Sequence, residues 1–193
     1  MAKQYNKASK NNSEALTQLT DITGITPPQS IELEQAVLGA LMLEKDAIID
    51  VQEYLSVDTF YSEEHRIIFK AIQDLSFEMK AIDLFTVTEK LKSQRELTKV
   101  GGASYLAQLT QRVASAAHVE FHAKIIAQKA TARDLITVAC QIEEKGYDET
   151  QDVDELIDEA TAKIFDISQR AQKRDVTHIF PVISEAFERM HKA

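Results

Sequence analysis

Three prolines, five glycines and one cysteine are all that this 193-residue chain holds of the residues that turn, break or staple a backbone. So few breakers argue for long helices over many short strands. Cys140 has no second cysteine to pair with, which excludes an internal disulfide and fits a reducing compartment, so the expected location is the cytoplasm. No run of about 18 apolar residues occurs, so no segment is expected to span a membrane. Residues 1–26 are rich in Asn, Gln, Ser, Thr and Lys and lack the apolar centre of a secretion signal; they read as a disordered leader. Positive charge is short as well: 22 Lys and Arg stand against 31 Asp and Glu, a net charge of −9.

What is present has the composition of a folded protein, 44% hydrophobic and 27% charged, at a length that suits one or two cores. The negative charge is concentrated. From Glu143 to Glu159 nine acids face Lys145 alone, so this stretch carries −8 and the rest is nearly neutral. A polyanion such as DNA is repelled there, and no basic stripe answers it elsewhere, so little direct DNA contact is expected. The run reads as a solvated connection between helices.

Hydrophobic spacing predicts an all-α fold. After Pro27-Pro28, Ser30 is placed to cap a helix whose first turn carries Glu32 and Glu34 at its positive end. Leu33, Val37 and Leu41, widened by Leu38 and Met42, give it one broad buried face. Gly39 sits in its middle at a cost of about 1 kcal/mol against Ala, which points to a neighbour packed close to the backbone. Asp46 precedes a short helix with Ile48, Val51 and Leu55 inward. Ser62 caps a longer one, with Ile68, Ile72, Leu75 and Met79 as its stripe. Asp83 opens a helix with Leu84, Val87 and Leu91 inward, and Tyr105, Leu106 and Leu109 mark another after Gly101-Gly102. Residues 27–113 therefore form a helical head.

Residues 114–172 differ in kind. No Gly or Pro interrupts Ala116 to Glu144, room for a helix of roughly 40 Å. Val119, Ala123 and Ile126 lie on one of its stripes; Ile125, Ala132, Ile136 and Ala139 lie on a second. After Gly146 and Asp148, Val153, Ile157, Ala160, Ile164, Ile167 and Ala171 recur at alternating spacings of four and three, a coiled-coil seam of just over two heptads. Two such helices joined by the acidic turn make an antiparallel hairpin. Its surplus stripe, including Ile125 and Ile136, needs the head or a second copy to cover it, and self-association is expected. Residues 173–193 read as a linker and then an amphipathic helix from Pro181, whose Val182, Ile183, Phe187 and Met190 could fold back on the head but are expected instead to rest on a missing domain or a neighbouring subunit.

Several of these segments resemble the N-terminal domain of the DnaB family of replicative DNA helicases. The likeness is carried by Pro28-Gln29-Ser30-Ile31 with Val37-Leu38-Gly39-Ala40-Leu41, by Phe60-Tyr61 followed by His65-Arg66-Ile67-Ile68-Phe69, by Ile82-Asp83-Leu84 with Thr86-Val87, by Val100-Gly101-Gly102-Ala103-Ser104-Tyr105-Leu106, and by Ala123-Lys124-Ile125-Ile126. Their order and spacing carry more weight than any one of them. His118 and His122 depart from the family pattern, and the leader matches nothing in it. The resemblance implies a head plus hairpin that pairs with itself, three pairs forming a collar on a hexamer. It implies a linker helix packed on the adjacent subunit's motor domain, and docking of primase and of the helicase loader. ATP and magnesium are expected only for the motor. The phosphate-binding Gly-x-x-x-x-Gly-Lys-Ser/Thr pattern is absent, since Gly101-Gly102 is followed by Ala103-Ser104 and no lysine. No cofactor, metal or catalytic residue is assigned to this chain.

Two other readings remain open on the residues. A free-standing adaptor of the replication machinery would share the fold. A small metal-dependent helical enzyme would use His118 and His122, one helical turn apart, but the zinc-protease order needs Glu directly after the first His, and Glu120 is one position late. Cys140, among Val138, Ala139 and Ile142, suits an inert thiol, and Ser115 a helix cap.

Overall fold

A computed structural model of the chain describes residues 24–44, 46–113, 117–148 and 150–173, with side chains to 171. These hold seven α-helices and one 3₁₀ helix and no strand: α1 (Ile31–Leu43), α2 (Ala47–Val51), the 3₁₀ turn (Val57–Thr59), α3 (Glu63–Phe77), α4 (Leu84–Ser93), α5 (Gly102–Gln111), α6 (Val119–Gly146) and α7 (Val153–Lys173). The all-α expectation holds. No helix among the described residues is long and apolar enough to cross a membrane. The leader before residue 24 and the helix expected from Pro181, with Val182, Ile183, Phe187 and Met190, lie outside the described residues.

α1 runs through the middle of the head and touches α2, α3, α4, α5 and α6. Its Val37, Leu38 and Leu41 are essentially sealed from water, and the close neighbour that Gly39 demanded is α5. A β-carbon built on Gly39 would meet the Leu109 carbonyl oxygen at 2.2 Å and Val113 Cγ2 at 2.7 Å. Only a glycine lets the two backbones approach this far. Phe60 and Phe69, with ring centroids 4.8 Å apart, close the core from the other side. That core does not stop at residue 113: Val119, Ala123 and Ile126 of α6 belong to it. The N-terminal part of the long helix is thus a structural member of the head.

Helix ends follow local chemistry, with some departures from expectation. Ser62 accepts from the His65 amide, and Asp83 from the Phe85 and Thr86 amides, whereas Ser30 and Asp46 make no side-chain cap bond. Met79 leaves the α3 stripe altogether. The helix stops at Phe77, and the Met79 and Lys80 amides return to the Ser76 and Leu75 carbonyls. This closure puts Met79 in the left-handed region (φ 53°) with its side chain in solvent. Gly101 and Gly102, at φ 87° and 75°, turn the chain sharply into α5, where a side chain would be strained.

Candidate association surface

α6 and α7 pack antiparallel in a single register fixed by polar side chains. Lys145 pairs with Glu159, Lys163 Nζ donates to Gln141 Oε1 at 2.9 Å, and Arg170 lies 3.6 Å from Asp134. Each step back along α6 is matched by an equal step forward along α7. Lys145 and Lys163, both bonded to Glu159, hold its carboxyl down at about 2. Other acids of the charged run shape the connection itself: Asp148 accepts from Thr150, and Asp152 accepts from the Asp154 and Glu155 amides at the start of α7. The run expected to be a solvated connection is mostly helical: Glu143 and Glu144 lie in α6, and Asp154, Glu155, Asp158 and Glu159 in α7, so that only the stretch between Gly146 and Val153 connects them.

The expected seam splits in two. Ile167 is buried, and Ala160 and Ala171 are half-buried, as are Ile125 and Ile136 on α6. Val153, Ile157 and Ile164 are 67%, 55% and 48% exposed, and Phe165, which the spacing did not single out, is 62% exposed. At about 100° per residue, the exposed trio lies roughly 70° round α7 from the side of Leu156, Ala160, Lys163 and Ile167 that meets α6. Leu135 on α6 and Tyr147 just after it add exposed apolar surface. The hairpin is therefore pinned by polar pairs beside Ile167 and presents a greasy flank to water.

The head conceals a constellation that periodicity did not find. Glu34 and His65 are each 1% exposed, with Oε2 and Nδ1 2.6 Å apart. His65 Nε2 lies 2.8 Å from the Tyr105 hydroxyl, while the Tyr61 and Ser62 amides donate to the same carboxylate at 2.7 and 3.3 Å. Glu34 was expected to favour the positive end of its own helix; it serves the entry to α3 instead, because α1 presents it inward. Arg133 of α6, 5% exposed, donates to the Pro28 and Thr59 carbonyls at 2.8 and 2.7 Å. Burial pulls its guanidinium below the usual arginine range, and the Glu34 charge opposes that shift. Carboxylate, imidazole and hydroxyl in this order resemble a catalytic relay, but α1, α3 and α5 close over them, so they fasten helices. The sequence signal was there: Glu34 precedes Leu38 and Leu41 by four and seven residues, on the buried face.

His118 and His122 have ring centroids 6.5 Å apart, and no group of three His, Cys, Asp or Glu among the described residues is placed to hold a metal ion. Burial raises the Cys140 thiol above its ordinary value, which disfavours the reactive thiolate.

Comparison with known proteins agrees with this architecture. A family model, the DnaB-like helicase N terminal domain, matches residues 26–128. The replicative DNA helicase DnaB of Rhodothermus marinus is 43% identical over 86% of this chain, and that of Geobacillus stearothermophilus is 38% identical over 84%. The chain spans 18% and 36% of those two proteins' lengths. The crystal structure of the N-terminal domain of DnaB helicase from Mycobacterium tuberculosis superimposes with a TM-score of 0.70 at 39% identity, over 73% of this chain and 99% of that one. A structure of a DnaB-like replicative helicase and its interactions with primase shares the fold, with a TM-score of 0.67 at 24% identity, over 85% of this chain and 37% of that one. The helical head, its converging motifs and the matched residues together place the chain in the DnaB-like helicase N-terminal domain family.

Proposed function

We propose that this domain is a non-catalytic self-association and docking module of a replicative DNA helicase, whose motor, elsewhere in the intact protein, binds ATP and magnesium and unwinds DNA. The observation that carries the reading is the exposed flank of α7: Val153, Ile157, Ile164 and Phe165 are each about half or more in water, on the side of the helix turned away from α6. A second copy laid on that flank removes the exposed apolar surface without reshaping the head. Pairs of this kind would build the collar of a hexamer. A structural relative solved with its primase interactions supports primase docking on the collar; loader docking and a linker helix at 181–193 against the adjacent motor are further parts of the same proposal.

Size-exclusion chromatography with light scattering tests it at tens of micromolar protein. The unaltered chain is expected to run as a dimer or larger. Ile157→Asp and Ile164→Asp are expected to run as monomers with helix content retained, since the new carboxylates stay solvated in a lone chain but would be buried unpaired in a pair. Substitution of the exposed Glu155 is expected to change nothing. A strict monomer for the unaltered chain, or an Ile164→Asp variant that associates as before, overturns the reading.

A further inference from the structure

The start of α6 carries two imidazoles that no hydrogen bond or ion pair among the described residues engages. The His122 amide donates to the His118 carbonyl at 3.0 Å, so the two residues stand one helical turn apart and share a face. His118 is exposed and His122 half-buried, and their ring centroids lie 6.5 Å apart with the planes at 55°. His118 occupies the N-cap position yet makes no side-chain cap bond. The acid and the base of the same turn are already engaged. Glu120 accepts from the Tyr54 hydroxyl at 3.1 Å and pairs with Lys124 at 2.9 Å, and Lys124 lies over the Tyr54 ring. Val119 and Ala123, beside the two histidines, are buried in the head.

We propose that His118 and His122 together form a two-ligand site for a divalent ion of the copper, nickel and zinc class, with water in the remaining coordination positions. Imidazole nitrogen is a donor that suits all three of these ions. An ion about 2.0–2.1 Å from each nitrogen, with near-tetrahedral bonds, sets two ring centroids about 5 Å apart. From 6.5 Å the rings must close by roughly 1.5 Å. Rotation about χ1 and χ2 supplies that movement, since no hydrogen bond holds either ring where it is. Holding an ion asks less of the chain than zinc-protease chemistry does. That chemistry needs a glutamate directly after the first histidine and a third protein ligand, whereas this turn has two ligands and a Glu120 committed to Lys124 and Tyr54. The site is therefore one of exchangeable binding and not of catalysis. Magnesium, which takes oxygen donors, does not suit it. A bound ion ties the N-cap of α6 to the following turn, next to the Val119 and Ala123 contacts that fasten this helix to the head. The inference is independent of the association reading, because both ligands belong to one chain and neither lies on α7.

Isothermal titration calorimetry of the full chain, free of any affinity tag, with nickel chloride, zinc chloride and magnesium chloride tests the site. Nickel and zinc are expected to bind and magnesium is not. Once one imidazole holds the ion the second binds intramolecularly, so His118→Ala and His122→Ala are each expected to weaken nickel binding by about tenfold or more. Circular dichroism is expected to show unchanged helix content in both variants, because neither imidazole belongs to the core or to a cap bond. Should a variant lose helix, the unaltered chain still decides the matter by nuclear magnetic resonance. Substoichiometric nickel, a paramagnetic ion, is expected to broaden the ring signals of His118 and His122 ahead of those of His65, His178 and His191. The proposal is overturned by a chain that takes up no nickel at millimolar concentration, by nickel affinity that survives either substitution, or by broadening that begins at another histidine.

Discussion

Replacing Gly39 with Ala tests whether packing or helix propensity rules the centre of this head. On propensity alone, Ala in a helix interior is favoured over Gly by about 1 kcal/mol. Packing says the opposite. The new β-carbon would lie 2.2 Å from the Leu109 carbonyl oxygen, so α5 must withdraw by about 1.2 Å to reach the 3.4 Å of ordinary contact. The obstacle is backbone, which cannot rotate away as a side chain does. Overpacking of this kind costs about 3 kcal/mol, so the net loss is roughly 2 kcal/mol and the melting temperature falls by roughly 4–8 °C. Gly146→Ala is the matched control: it is the last residue of α6, with nothing within 4 Å of its β-carbon position. That change is expected to stabilise by about 0.5 kcal/mol. Differential scanning calorimetry and urea unfolding of both variants measure the contrast. A Gly39→Ala protein as stable as the unaltered chain would refute the α1–α5 approach described here.

Arg133→Lys is expected to cost about 2–3 kcal/mol in urea unfolding, although charge is conserved, because one ammonium cannot reach both the Pro28 and Thr59 carbonyls and leaves a buried acceptor unpaired. Ile167→Asp, at a site 4% exposed, is expected to unfold the hairpin and lower helix content, measured by circular dichroism, whereas Ile164→Asp at a site 48% exposed leaves helix content unchanged. Glu159→Gln probes acid stability. The Glu159 carboxyl is held at about 2 in the folded chain, below its ordinary 4.5. Its stabilising contribution is therefore fully present above about pH 4.5 and lost as pH falls towards 2. Unfolding curves of the variant and the unaltered chain are expected to differ at neutral pH and to converge near pH 2; a constant difference down to that pH would contradict the assignment.

Much of the fold was written in local pattern. Scarce glycine and proline, and apolar residues at steps of three and four, give the helices, because a helix buries one face and the spacing of that face is set by its own geometry. Ser62 and Asp83 cap helices as their residue types require, and Gly39 announced a close neighbour without saying which. What spacing could not decide was the partner of each face. A seam counted along α7 treats Val153, Ile157, Ile164 and Ile167 alike, yet rotation of that helix against α6 buries the last and leaves the first three in water. Which polar side chains meet inside the head was equally out of reach. Glu34, His65, Tyr105 and Arg133 come from four helices up to about a hundred positions apart, and no window along the chain contains them together. Composition and periodicity thus determined that this is a helical head with a long hairpin; only tertiary packing decided which greasy surface remains for another molecule, because burial depends on how helices are rotated against one another and not on the order of their residues.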